Sequence, residues 1–356
     1  MNRRDTFPPP LAGEDGFFSG AVARILELQR SDGAIPWFDN GVVDPWNHTE
    51  AAMGLAVMGE HEAARRAHRF LADTQLADGS WWGEYGTLVP IENGKYVSDA
   101  EPKRIRDTNF CAYPATGLWH CFMITGDRAY LADYFPMIER AIDWVLALQS
   151  EHGDIRWSAC DPVSPEEDAL LAGNCSIYKS LESALRCAGA LRRRKPHWEE
   201  ARRKLGRAIR EKPERFDRTW GSKAKFAMDW YYPVHAGAVA VPEARARIGA
   251  RYAEFVHGDA GCRCVADVPW ITVAESAELA VALARIGMAG EARALFDWQH
   301  QWRDEAGAYW MGHHVESGAP WPNERPAWTA AAMILAADAL SGATPAARLF
   351  LDVLPE

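Results

Sequence analysis

Positive charge is the minority sign in this chain: 39 Lys and Arg stand against 49 Asp and Glu among 356 residues, a net charge of −10. Such a balance argues against nucleic acid or an anionic membrane as a partner. The one basic cluster, Arg192 to Lys195 with Arg202, Arg203, Lys204, Arg207 and Arg210, reads as the solvated face of an outer helix. No CxxC pair occurs among the seven cysteines, and Cys262-x-Cys264 alone lacks zinc spacing, so no metal site is expected. No Gly-rich phosphate loop or Ca²⁺ loop stands out, so no cofactor is expected either. No apolar run approaches the roughly eighteen residues of a membrane span. The lead from Met1 to Pro10 is charged and proline-rich without an apolar centre, unlike a secretory signal. Together with cysteines set in apolar helical patterns, this points to a cytoplasmic chain of reduced thiols.

What the chain does have is a repeated loop. Gln75-Leu-Ala-Asp-Gly-Ser-Trp81 has relatives in Gln29 to Trp37, Gln149 to Trp157 and Gln301 to Trp310. Each follows a helical pattern and precedes a polar loop. The Gln can bond the last orphan carbonyls of its helix, the Gly takes positive φ at the turn, and the Trp packs back on the helix ends.

Between these loops, nearly all-apolar helical stretches alternate with amphipathic ones. The apolar kind start near Asn47, Phe110, Asn174, Asp229, Thr272 and Trp328. A helix apolar all round is buried, and an amphipathic one has a wet face. Asn47 reads as an N-cap with Glu50 in the capping-box position. Counting a first helix from Gly20 and the apolar last one gives twelve, which most simply close into a ring, six inside and six outside. The spacing of the inner helices, roughly forty to sixty-five residues, is that of helical-pair repeats. The expectation is an all-α (α/α)6 toroid over residues 17–356, a single domain after an N-terminal lead of residues 1–16, with room for short strands in its long loops.

This pattern resembles the toroid shared by six-hairpin glycosidases and by the terpenoid-cyclase and protein-prenyltransferase group. The stretch from Gln75 to Trp81 is similar to the QW repeat of the latter. The resemblance covers almost the whole chain from about residue 17 and speaks for fold more than reaction.

In such a ring the loops entering the inner helices gather at one mouth, and there the chain places carboxylates beside aromatics. The candidate catalytic residues are Asp107, Asp229, Asp44, Glu275 and Glu324, with Glu275 preferred to Glu278 one turn on. The candidate substrate-binding residues are Trp46, His48, Asn109, Tyr113, Tyr178, Trp230, Tyr231, Trp270 and Trp328. Sugars offer C–H faces for aromatic stacking and hydroxyls for carboxylates, and glycoside hydrolysis takes two carboxyl groups flanking the bond. The expectation is a glycoside hydrolase, inverting, acting on a small sugar or glycoconjugate, with Asp107 and Asp229 facing one cavity. An isoprenoid enzyme is the rival, since aromatic walls also hold carbocations and a cavity with almost no polar lining would favour it. Its DxDD, DDxxD and zinc-binding motifs are absent. A sugar epimerase or isomerase would draw an acid–base pair from His48, His235, His313 and His314. A binding protein that kept the cavity and lost catalysis is a further alternative.

Overall fold

The computed structural model describes residues 16–39, 41–86, 88–90, 96–98, 105–160, 168–218 and 221–355. Its inner helices are α2 (Pro45–Val57), α4 (Thr108–Ala112) running into α5 (Pro114–Thr125), α7 (Leu171–Ala190), α9 (Ala227–His235), α11 (Val273–Arg285) and α13 (Ala327–Ser341). Its outer helices are α1 (Ser19–Leu28), α3 (His61–Thr74), α6 (Arg128–Leu146), α8 (Pro196–Glu211), α10 (Val241–Phe255) and α12 (Ala289–Trp298). The inner set packs in a closed circle, α2 on α5, then α7, α9, α11, α13 and back to α2. Each is backed by the outer helix that follows it, and α1 packs on α13. This is the expected toroid. Each of the six starts near its expected residue and is mostly buried; every residue of α2 is buried, and α11 is buried from Val273 to Leu283.

Eight short strands lie in the loops among the described residues. β1 (Leu88–Pro90) pairs with β2 (Tyr96–Ser98), and β3 (Ile105–Asp107) with β4 (Ser158–Cys160). An antiparallel sheet runs through β5 (Val256–His257), β6 (Gly261–Arg263), β7 (Trp270–Thr272) and β8 (Gly312–His314). β3 leads into α4 and β7 into α11, so these strands fix the approach to two inner helices.

The Gln of the repeated loop does a different job from the one expected. Gln75 Nε2 donates to the Gly79 carbonyl at 2.8 Å and to Met137 of the next outer helix at 2.9 Å. Gln29 bonds Gly33 and Ala63 of α3 in the same way, and Gln149 bonds Gly153 and Ala201 of α8. Each is a staple from one outer helix to the next. The glycines have φ of 92°, 97° and 104°. A Cβ on them would lie 2.2, 2.5 and 2.4 Å from carbonyls of the adjacent helix, so only Gly allows the approach. In the fourth copy Arg303, not Gln301, takes the bridging place, reaching the carbonyls of Gly307 and of Phe17 before α1.

Two capping expectations change. Asp44, not Asn47, caps α2, with Pro45 at the first helical position where no N–H is needed. Glu50 therefore completes no capping box. The basic stretch on α8 is not wholly wet: Arg202 is 3% exposed and meets buried Glu182 at 3.1 Å.

Candidate active site

One cavity, of about 440 Å³, opens at the end of the ring where the inner helices begin. Five of the six inner helices contribute to it. Trp37, Trp46 and Asn47 come from the approach to α2, Asn109 and Phe110 from α4, and Met228 from α9. Cys264, Trp270, Thr272, Glu275 and Glu278 come from the β5–β8 sheet and α11; Met311, Trp321, Pro322 and Trp328 complete the wall. Its surface is mainly aromatic and thioether, with two carboxyl groups set into it.

Glu275 and Glu278 are 5% and 6% exposed. Burial raises the Glu275 carboxyl above its ordinary range, partly offset by bonds from the Thr272 hydroxyl and the Cys264 thiol. Glu278 accepts the hydroxyls of Tyr231 and Tyr232. Burial nonetheless pushes it up to about 7. Beneath it, a void about the size of one water molecule (20 Å³) is lined by Glu50, Tyr113 and His235 as well as Glu278. Glu50 Oε2 is buried there without a hydrogen-bond partner, and burial, then repulsion from Glu278, raises its carboxyl strongly.

Carboxyls raised in this way couple stability to pH. The folded Glu278 binds its proton more tightly than the unfolded one, near 4.5. Its contribution is therefore most favourable below about pH 4.5 and is lost as pH rises through about 7. Glu278→Gln should remove part of that loss. The variant's melting temperature minus the parent's should be more positive at pH 8 than at pH 5. Parallel melting curves of parent and variant across that range would show that Glu278 is not strained by burial.

Three polar atoms of lining residues carry no hydrogen bond among the described residues. Trp46 Nε1, Trp328 Nε1 and Asn109 Oδ1 are buried with no protein partner. Trp46 stacks on Tyr113 at 4.8 Å, which holds its ring in place. Trp321 stands 40% exposed at the rim, edge-on to Trp270 at 4.8 Å.

The other expected residues separate into three groups. Asp107 caps α4, one Oδ accepting the amides of Asn109 and Phe110, both of them cavity residues. Burial, then repulsion from Asp44, pushes it up to about 7. Tyr113 and Tyr231 lie behind the wall, under Trp46 and on Glu278. The remaining expected residues lie outside the lining of this cavity. Asp44 is fully buried and caps α2, its two oxygens accepting from Trp46, Asn47 and Trp37. His48 is fixed between the Ile35 amide and the Ala67 carbonyl, and burial lowers it to about 4. Trp230 stacks on Phe255 at 4.8 Å in the core. Tyr178 lies under the Arg202 guanidinium. Glu324 is half-buried near Asp39, Arg24 and Arg325. Asp229 lines a different cavity, so it and Asp107 do not face one space.

Sequence reading missed Trp37, Phe110, Met228, Cys264 and Met311. Counted from the bridging Gln or Arg, the sixth residue on is Ile35, Trp81, Ile155 and Tyr309, all at most 1% exposed. The eighth is Trp37 in the first copy and Met311 in the fourth, and both line the cavity. Matching the loops on Gln and Gly rather than on Trp would have separated core from cavity.

No protein-family profile matches the chain. A curated relative from Mycolicibacterium hassiacum, named MMP endo-(1,4)-3-O-methyl-alpha-D-mannosidase, is 45% identical over 329 residues, 92% of this chain and 87% of that protein. The chain belongs to that mannosidase's family. It is a glycosidase-like hydrolase, and the expectation of a carbohydrate-active enzyme holds. Solved structures agree on the fold. A wild-type glycosidase matches with a TM-score of 0.68 at 16% identity, over 94% of this chain and 98% of its own. A D-mannose isomerase matches with 0.67 at 12%, over 94% and 99%. The isoprenoid alternative gains nothing from these relatives, although the wall is as apolar as it would need. No helix among the described residues is long and apolar enough to cross a membrane.

Proposed function

We propose that the chain cleaves internal α-1,4 bonds between 3-O-methylated mannose units, as the name of its relative describes, in the Trp- and Met-walled cavity that holds Glu275. What carries this reading is that wall. A 3-O-methyl group replaces a hydroxyl donor with a carbon that gains by burial, and Trp37, Met228, Met311 and Trp328 offer little else.

Glu275 is the proton donor in this reading, kept neutral by its dry surroundings. The counter-carboxylate is Asp107. The helices α4 and α11 are opposite each other in the ring, with α7 and α9 between them on one side and α2 and α13 on the other. Glu275 lines the cavity, and Asp107 stands just behind the lining residues Asn109 and Phe110 that it caps; in this reading the two flank the bond, as hydrolysis requires. The two backbone amides on Asp107 favour its ionised form, which suits it to activate water. Among the described residues no histidine lines the cavity, which disfavours the isomerase reading. The six cysteines described are free thiols, five of them buried, in keeping with a reducing, cytoplasmic setting.

The test is digestion of methylated and unmethylated α-1,4-mannooligosaccharides of equal length, with products sized by mass spectrometry. Internal cleavage with a preference of about fourfold or more per buried methyl is expected, from about 0.8 kcal/mol per group. Equal rates on both series would remove the methyl-recognition argument. Absence of cleavage would overturn the substrate.

A further inference from the structure

Asp229 is the polar residue that the site above leaves without a task. It is 8% exposed and sits at the start of α9 among bulky neighbours. Only its backbone carbonyl is engaged, by Arg247 at 2.8 Å. Among the described residues its carboxyl has no hydrogen bond and no ion pair. Burial, then the nearby Asp217, raises this one to about 6 against the opposing pull of Arg247 and Arg251.

That carboxyl lines a second cavity, of about 300 Å³. Asp217, Ser222 and Arg247 share the lining with apolar surface from Leu171, Ile209, Pro213 and Phe216. Asp217 Oδ2 accepts the Lys223 amide at 2.9 Å, while its Oδ1 is buried without a partner. The space thus sets the Asp229 carboxyl, the Ser222 hydroxyl and Arg247 beside an aromatic ring with aliphatic groups. A cation would want more oxygen ligands; no group of three metal-binding side chains exists among the described residues. A pyranose, polar at its edge and apolar on its face, matches both sides.

The second cavity adjoins the first. Met228 lines one and Asp229, the next residue, lines the other. Leu171 of the second stands two residues from Gly173, where a Cβ would lie 3.7 Å from that of Asn109 in the first. It also occupies the one sector of the mouth, at α7, that gives nothing to the main cavity.

We infer that the Asp217–Asp229 cavity is a distal subsite that binds a sugar unit of the same chain being cut at Glu275. The inference rests on the reading of a polymeric substrate. A subsite of this kind adds affinity for long chains without touching the reacting bond, so it acts on KM and leaves kcat alone.

The experiment compares wild type, Asp229→Asn and Ser222→Trp on a ladder of 3-O-methylated α-1,4-mannooligosaccharides. Asn keeps the shape and removes the carboxylate; Trp at the exposed Ser222 blocks the space should Asp229→Asn fold poorly. In the wild type KM should fall once the chain is long enough to span both cavities. Either variant should lose that gain, with KM about tenfold higher on the longest chains. KM on the shortest cleaved chain and kcat throughout should be unchanged. A wild-type KM independent of length, variants that keep the wild-type length dependence, or an equal loss on all lengths would each overturn the subsite. A wild type that cleaves the short members but shows no length gain sinks this inference alone. One that cleaves none sinks the substrate reading with it.

Discussion

Glu275→Gln should lower kcat by about a thousandfold, within the 10²–10⁴ range of a lost acid–base group, and should leave the fold intact. The amide keeps the side-chain volume and can still accept the Thr272 hydroxyl. It also removes a carboxyl whose ionised form is penalised by burial, so the melting temperature at neutral pH should hold or rise. Asp107→Asn should cost a similar factor and change the pH profile differently. With Asp107 near 7 as the base and Glu275 as the acid, wild-type activity should climb through about pH 7 as Asp107 ionises. A small residual activity in Asp107→Asn should lack that climb. If Glu275→Gln turns over substrate at the wild-type rate, the assignment of the acid is wrong. If only Glu278→Gln is dead, the acid lies one helical turn deeper.

Trp81→Ala should cost about 3–5 kcal/mol of stability, the usual range for a core Trp. Its ring is fully buried. Its Nε1 donates to the Leu71 carbonyl at 2.8 Å, so the side chain is tied to the last turns of α3. It takes no part in the cavity, so kcat on any substrate should be close to wild type below the melting transition. A chemical-denaturation midpoint unchanged by the substitution would contradict this.

The fold was legible because its signal is periodic and long. An all-round apolar helix beside an amphipathic one can be told from sequence, and six such pairs leave few ways to bury the apolar set. The site was less legible, because it depends on which of two adjacent residues turns inward. Met228 and Asp229 are neighbours, yet they serve different cavities. Asp44 and Asp107 precede inner helices in the same way, and both cap them. The first is sealed under Trp37 and Asn47, whereas the second keeps an oxygen unspent. Capping and catalysis ask for the same residue at the same place, so composition cannot separate them. Glu275, which lines the cavity, stands out in the sequence as a carboxyl in an apolar helix. Cys264 and Met311 do not, since they look like ordinary core until the β5–β8 sheet brings them to the mouth.

The staple from Arg303 to Phe17, and the bond from Arg24 to the Arg325 carbonyl, join residues 286 and 301 positions apart. They are made where α1 meets the last hairpin, so the earliest helix to be synthesised is among the last to be completed. Until α13 emerges from the ribosome, α1 and α2 lack the neighbour that covers them, and a growing chain carries that sticky edge through most of its translation. Contacts of such high sequence separation slow closure, and the waiting edge can meet the wrong partner. A toroid trades the open ends of a helical stack for this one long delay, after which no hairpin is terminal and none can fray from an end.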